Sequence, residues 1–178
     1  MNQPRQDFTD IEYLRNGSLR QQEVFRVLQS VNIFEDLRLY QPVLTGTFPI
    51  GIDINSSDLD IICSCGDHQQ FSQQLQRLYG SFKDFSLKSK LWQGRPTTIA
   101  NFEYKTYAIE IFAQAVATVE QNAYRHMIIE NQILQRKGAD FRAEIIALKK
   151  SGLKTEPAFA KLLGLKGDPY EALLKFQI

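Results

Sequence analysis

The sequence lacks any long apolar run, and this absence narrows where the protein can act. No stretch approaches the roughly 18 consecutive apolar residues of a membrane-spanning helix. The first ten residues are polar, whereas a secretory signal peptide needs an apolar segment there. We therefore expect a cytoplasmic protein with no membrane partner.

Cysteine is also scarce, since Cys63 and Cys65 are the only two in the chain. They are two residues apart in a predicted strand, which places their Cα atoms near the upper distance limit for a disulfide. A single pair without further cysteine partners is too little for a structural zinc site. Free buried thiols are predicted.

An excess of charge of one sign is lacking as well, because 21 Lys and Arg residues face 20 Asp and Glu residues. The net charge of +1 favours a small molecule slightly over protein or RNA as a partner. The distribution is uneven, with four acidic and one basic residue in 41–79 but five basic and two acidic in 80–105. An acidic segment beside a basic one suits a metal site that holds an anionic substrate, although solvated charged faces give the same pattern.

The hydrophobic residues that are present, 43% of the chain, suffice for one compact domain. Their spacing and the capping signals predict helices at 10–15, 18–31, 68–79, 118–137, 139–150, 156–163 and 169–176. Runs rich in β-branched and aromatic residues predict strands at 43–45, 59–64, 82–92, 97–104 and 107–113. Helices, a mainly antiparallel or mixed sheet and further helices indicate an α+β fold.

Two aspartates open the second predicted strand. Asp58 and Asp60 are two residues apart, so their carboxylates project from the same face, while Leu59 and Ile61 point into the core. Magnesium prefers carboxylate oxygens and keeps room for waters and substrate phosphates. The pair is therefore a candidate Mg²⁺ site, with Mn²⁺ as a second possible ion, and a solvated strand end is the alternative.

Upstream residues of the same segment are candidate contacts for a phosphate. Gly46 lets the backbone come close to an anion, and Thr47 offers an N–H and a hydroxyl as donors. Ser57, directly before the aspartates, completes this set of candidate binding residues. Asp53, in the turn between them, is assigned to turn stabilisation.

A third carboxylate is needed for a two-metal arrangement, and Glu110 is the best candidate. It lies in an otherwise apolar strand, where a lone acid is costly to bury unless it is paired or bound to a metal. The alternative is a salt bridge to one of three basic residues, which could themselves neutralise phosphates or simply be exposed strand positions. These residues are Lys88, Lys90 and Arg95.

The motif Gly46-Thr47, ten residues and Asp58-Leu59-Asp60-Ile61 resembles that of the polymerase-β-like nucleotidyltransferases. In that superfamily a later strand supplies the third acid, which the resemblance places on Glu110. Longer phrases, including Gly152 to Ala160, resemble a bacterial nucleotidyltransferase-like family of unknown function, in which Ser is commoner than Thr at position 47. The resemblance implies a nucleotidyltransferase-like core over 1–117 and a C-terminal helical region over 118–178 packed on it.

The resemblance also implies an activity. We expect a Mg²⁺-dependent enzyme that transfers a nucleoside monophosphate from an NTP to an acceptor hydroxyl, with Asp58, Asp60 and Glu110 as catalytic and metal-binding residues. One alternative is a catalytically inactive nucleotide-binding or antitoxin-like module of the same fold, and another is a structural ion site.

Other polar residues and the aromatic residues receive structural interpretations. His126 and Glu130 are one helical turn apart and could face a cleft, but a structural role is favoured for His126. The aromatic residues are assigned to the core, because a base-stacking surface needs exposed aromatics on a basic face.

Overall fold

The structure, a computed structural model, describes residues 6–177. The chain divides into two compact units, of which the first extends to Thr45 and resumes from Asp58 to Val119. The second unit contains Gly46–Ser57 and the chain from Glu120 onward. The segment Gly46–Ser57 therefore groups with the C-terminal helices, whereas the domain division at 117/118 stays a prediction.

A five-stranded mixed sheet forms the centre of the first unit, in the order β1-β2-β5-β4-β3. Strands β2 and β5 are parallel, and the other neighbouring pairs are antiparallel. The strands are β1 Val43–Thr45, β2 Leu59–Ser64, β3 Lys83–Trp92, β4 Arg95–Tyr104 and β5 Tyr107–Gln114. The predicted α+β fold is confirmed, including the three successive antiparallel strands.

Helices α1 and α3 of the first unit begin at well-marked caps. Ser18 and Gln21 form a capping box at the start of α1, and the Asp67 carboxylate accepts the backbone N–H of Gln70 at the start of α3. Two short helical segments after α1 were not predicted, because they lack capping signals and a repeated apolar period. The helices are α1 Leu19–Val31, α2 Ile33–Asp36 and α3 His68–Tyr79, with 3₁₀ turns at Glu12–Asn16 and Arg38–Tyr40.

One face of the sheet is packed against α3. The Tyr79 ring of α3 stacks on Phe102 of β4 at a centroid distance of 5.0 Å, and both side chains are buried. Leu59, Ile61 and Ile111 lie at the corresponding alternate positions of β2 and β5 and are fully buried. Because strand side chains alternate, the residues between these apolar ones project from the opposite face.

The second unit consists of helices in addition to the segment Gly46–Ser57. The predicted start at Thr118 is wrong, because Thr118–Glu120 forms a 3₁₀ turn and the following helix has no side-chain cap at Gln121. The predicted interruption is confirmed at Gly138, where φ is 82°. The helices are α4 Asn122–Lys150, α5 Thr155–Leu163 and α6 Pro169–Leu174.

Two further expectations can be compared with the structure. Cys63 and Cys65 are buried and are not joined in a disulfide, and burial raises the pKa of both thiols, to about 11 for Cys65. The prediction of buried thiols without a disulfide is confirmed, and such thiols are poorly suited to redox chemistry. Among residues 6–177, no helix combines the length and the apolarity that crossing a membrane requires.

The second unit buries a carboxyl group, that of Glu130 on α4. Glu130 is 3% exposed, and its Oε1 has no hydrogen-bond partner. Burial, followed by the nearby Glu156 carboxylate, raises the pKa of Glu130 well above its ordinary value, while Lys149 acts in the opposite direction. The folded state then binds a proton more tightly than the unfolded chain, so this group lowers stability as pH rises from the ordinary glutamate value towards the raised one.

We predict that Glu130→Gln, which keeps the shape and removes the charge, stabilises the protein above neutral pH. The expected gain in the free energy of unfolding is about 1–3 kcal/mol, the usual cost of an unsatisfied buried group. It should disappear near pH 4, where the native carboxyl group is protonated. Urea unfolding between pH 4 and 8 measures this, with exposed Glu144→Gln on the same helix as the control. An unchanged pH dependence in Glu130→Gln contradicts the prediction.

Candidate functional site

Polar side chains form one row across the sheet of the first unit. The parallel pairing of β2 and β5 places Asp60 opposite Glu110, and β4 places Asn101 opposite Glu110 on its other side. The row continues to Thr45 of β1 and Ser86 of β3. Directly paired residues point to the same face, so two of the predicted site residues, Asp60 and Glu110, are neighbours on the face opposite α3.

Asp58 lies two residues before Asp60, in the irregular segment that leads into β2. Asp58 is exposed and Asp60 is half-buried. The Thr45 hydroxyl donates to the backbone carbonyl of Asp60 at 3.3 Å, which ties the start of β2 to β1. Strand pairing therefore fixes the position of Asp60, whereas Asp58 precedes Leu59, the first paired residue of β2.

The environment of Glu110 is electrostatically unfavourable for its charged form. Burial, followed by the carboxylate of Asp58, raises the pKa of Glu110, and the ammonium group of Lys90 lowers it in part. The charge of Asp58 therefore acts on Glu110, which is itself paired with Asp60. Of the three basic residues suggested as salt-bridge partners, Lys90 is the one whose charge lowers the pKa of Glu110.

The three acids suit a divalent cation by their chemistry, but their side chains are not converged. Asp58, Asp60 and Glu110 are carboxylates, the donors that Mg²⁺ prefers, and the repulsion between Asp58 and Glu110 is what a cation would relieve. Their side chains do not close around one point, since within residues 6–177 no three His, Cys, Asp or Glu side chains form a group able to hold a metal ion. The donor set fits Mg²⁺ in kind and in electrostatics.

The predicted phosphate contacts lie together in the second unit. Gly46 adopts φ of 75°, a conformation that side chains with a Cβ rarely accept. The Thr47 hydroxyl donates to Ser57 Oγ at 3.3 Å, and this oxygen also accepts the Ile54 N–H at 3.0 Å. The two ends of the segment are therefore joined through the hydroxyls of Thr47 and Ser57.

Two basic residues of α4 that sequence reasoning did not select hold this segment. The guanidinium group of Arg142 donates to the carbonyls of Ile50 and Gly51, and Lys149 Nζ donates to the carbonyl of Ile52 at 2.8 Å. Three consecutive backbone acceptors are thus bound by cations. Sequence offered no signal for them, because the partners are more than 90 residues apart.

His126 has a structural environment. It is buried, and its Nε2 donates to the carbonyl of Tyr170 at 3.0 Å, linking α4 to α6. Its Nδ1 lies 3.9 Å from Glu156 Oε1 on α5. These contacts join three helices of the second unit and support the structural role favoured for His126.

Solved structures with the same fold include several nucleotidyltransferases. The chain superposes on the GLD-2/RNP-8 complex with a TM-score of 0.54 at 15% identity, covering 86% of this chain and 61% of that one. For the Cid1 poly(U) polymerase the values are 0.54 and 11% with MgGTP bound, covering 78% and 46%, and 0.55 and 11% for a mutant bound to MgATP, covering 92% and 53%. The chain spans about half to three-fifths of these proteins and has the polymerase-β-like nucleotidyltransferase fold.

Two comparisons concern the sequence itself. No curated protein matches the sequence. Residues 26–176 match the model of the family described as "Domain of unknown function (DUF4269)", so the chain belongs to this family.

Proposed function

We propose that the chain is a divalent-metal-dependent nucleotidyltransferase, which transfers a nucleoside monophosphate from an NTP to an acceptor hydroxyl. The observation that carries the proposal is the row in which Asp60 pairs with Glu110, with the charge of Asp58 acting on Glu110. The nucleotidyltransferase fold supports it, and so do neighbours that hold MgGTP and MgATP.

In this proposal Asp58 and Asp60 hold the cation, Mg²⁺ or Mn²⁺, and Glu110 is the third carboxylate. When bound, the ion supplies charge neutralisation for the triphosphate and for the attacking oxygen. The carboxylates bring negative charge to a half-buried face, where its electrostatic effect is screened less than in bulk water.

Glu110 has a second role in the proposal. The acceptor oxygen bonds to the α-phosphorus, the bond from that phosphorus to the bridging oxygen breaks, and pyrophosphate leaves with the bonding electrons. The proton of the acceptor hydroxyl passes to a carboxylate oxygen of Glu110. The pairing of β2 with β5 places this carboxylate beside Asp60, next to the proposed metal-binding pair, where it can act as the general base.

The triphosphate needs donors as well as a cation. Gly46, Thr47 and Ser57 are the proposed contacts, through backbone N–H groups and hydroxyls. Arg142 and Lys149 act as positioning residues, since their bonds to the carbonyls of residues 50–52 hold the segment that carries these donors.

The acceptor that the comparisons favour differs from the small molecule favoured by net charge. Neighbours of the chain are named as a poly(U) polymerase and an RNA terminal U-transferase. We therefore propose a hydroxyl of a polynucleotide as the acceptor to be tested first.

A catalytically inactive nucleotide-binding module is the second candidate. The observation that favours it is the absence, within residues 6–177, of a converged metal-holding group of acids. Both candidates bind nucleotide, but only the enzyme releases pyrophosphate from an NTP in the presence of an acceptor.

We predict that Mg²⁺ with an NTP raises the melting temperature of the native chain and that Asp58→Asn/Asp60→Asn loses this rise. At a ligand concentration of about 100 times Kd, binding contributes about 2.7 kcal/mol, or about 5–10 °C for a chain of this size. The measurement is thermal unfolding with each NTP, with and without Mg²⁺.

The matched control for that experiment is Glu103→Gln. Glu103 is on β4, on the same face as Glu110 and one row away, where it pairs with Lys83. Loss of an exposed ion pair costs little, so the rise should persist in Glu103→Gln. If no NTP gives a Mg²⁺-dependent rise in the melting temperature of the native chain, the proposed nucleotide site is wrong.

We predict that Glu110→Gln lowers the rate of nucleotidyl transfer by about 100-fold or more, since general base catalysis contributes about 10²–10⁴-fold. The thermal shift with Mg²⁺ and NTP should fall less than in Asp60→Asn, because the aspartates keep their charges. Pyrophosphate release in single-turnover assays measures the rate, again with Glu103→Gln as the control. A Glu110→Gln variant with native rates excludes a proton-accepting role for Glu110.

A further inference from the structure

The hairpin formed by β3 and β4 carries a basic surface with an exposed aromatic ring. Residues 85–102 contain three basic residues and no acidic one. The acids nearest in sequence, Asp84 and Glu103, lie at the base of the hairpin beside Lys83. The remaining part of the hairpin is therefore purely positive.

Strand register places the charged and aromatic residues of the hairpin on the face of the sheet that bears Asp60 and Glu110. Ser86 is opposite Asn101, which is opposite Glu110, and no register shift occurs between Ser86 and Trp92. Side chains alternate along a strand, so every second residue of β3 from Ser86 shares that face. Arg95 shares it too, because it is the direct partner of Trp92. We call these residues the hairpin strip: Lys88, Lys90, Trp92 and Arg95.

The hairpin strip is open to solvent. All four residues are exposed. Trp92, the only tryptophan in the sequence, is 46% exposed. Lys90 Nζ lies 4.5 Å from the centroid of its indole ring, a cation–π distance. A large aromatic ring held beside a cation in water is a surface on which a base can stack while its phosphate meets a positive charge.

We propose that the hairpin strip binds single-stranded polynucleotide, with a base stacked on Trp92 and phosphates bound by Lys88, Lys90 and Arg95. Aromatic stacking tolerates any base, because each has a π-face, and a basic track follows the backbone. The complementary charge is what selects this partner. The idea that the strip leads an acceptor to Asp58, Asp60 and Glu110 rests on the proposed function. Binding of polynucleotide to the strip can be measured without catalysis.

The distance along the strand indicates a polymer rather than a free nucleotide. Trp92 is six residues beyond Ser86, the β3 member of the row that contains Glu110. At about 3.3 Å per residue the separation is about 20 Å, which several nucleotides span. A mononucleotide at the acids does not reach Trp92, so a change at Trp92 should weaken polynucleotide binding and leave NTP binding unchanged.

A protein partner would use the hairpin differently. Leu91 is 71% exposed but alternates to the opposite face from Trp92. An apolar docking surface would thus involve Leu91, and a polynucleotide surface would not. Leu91→Ala is therefore a control that alters the adjacent residue and leaves the strip intact.

The test is titration of the native full chain with single-stranded RNA of about 12 nucleotides. Stacking on the lone tryptophan should quench its fluorescence, and the anisotropy of a labelled RNA should give the affinity of every variant. Trp92→Ala should weaken binding about 5- to 100-fold, with Trp92→Phe intermediate and Leu91→Ala native. Lys88→Ala/Lys90→Ala should also weaken it and reduce the slope of log K against log salt by about 0.7 per lost contact.

Outcomes separate this proposal from the proposed function. Native RNA affinity in Trp92→Ala, or equal losses in Leu91→Ala, would overturn the hairpin strip, the latter indicating a protein-type surface. The thermal shift with Mg²⁺ and NTP, measured on Trp92→Ala and Leu91→Ala, should be unchanged. Quenching by RNA without any nucleotide-dependent shift would retain the strip and refute the proposed nucleotide site. A nucleotide-dependent shift without RNA binding would overturn the strip and leave the nucleotide site in place.

Discussion

The parallel pairing of β2 with β5 is the constraint on which the candidate site depends. Asp60 and Glu110 are 50 positions apart in the sequence, and only this pairing makes them neighbours. The register is fixed from the other face, where Leu59 and Ile109 are paired and buried. A slip of one residue would exchange the faces of one strand and bury a carboxylate among apolar side chains. The apolar core therefore sets the position of the acids.

This arrangement places charge where the protein compensates it only in part. Burial and the charge of Asp58 both disfavour the ionised form of Glu110, and Lys90 offsets them incompletely. The buried Glu130 of the second unit differs in kind, because it lies among helices beside Lys149 and Glu156. A half-buried cluster of like charges that reaches solvent is the arrangement that a cationic ligand would relieve, whereas a fully buried carboxyl group is relieved by a proton.

Sequence predicted the sheet well because strands with one buried face alternate in polarity, and Ile109, Glu110 and Ile111 show this alternation directly. It predicted the start of α4 poorly, since Thr118 and Gln121 match a capping box but form a 3₁₀ turn and an uncapped helix start. The placement of Asp60 and Glu110 on one face of the sheet follows from this alternation and from the strand register. The bonds from Arg142 and Lys149 to residues 50–52 could not be predicted, because side chains that bind distant carbonyls leave no local pattern.

Exposure of Trp92 was equally beyond the sequence. Alternation gives the face of a strand residue, but whether that face is covered depends on what packs there, and the last five residues of β3 are exposed on both faces. The net charge of +1 argued against long nucleic acid, yet binding depends on the charges near the ligand, within about one Debye length of 8–10 Å. Three positive residues on one hairpin, whose own acids lie at its base beside Lys83, form such a local field. Net charge therefore says little about a partner when charges of one sign are grouped in one part of the fold.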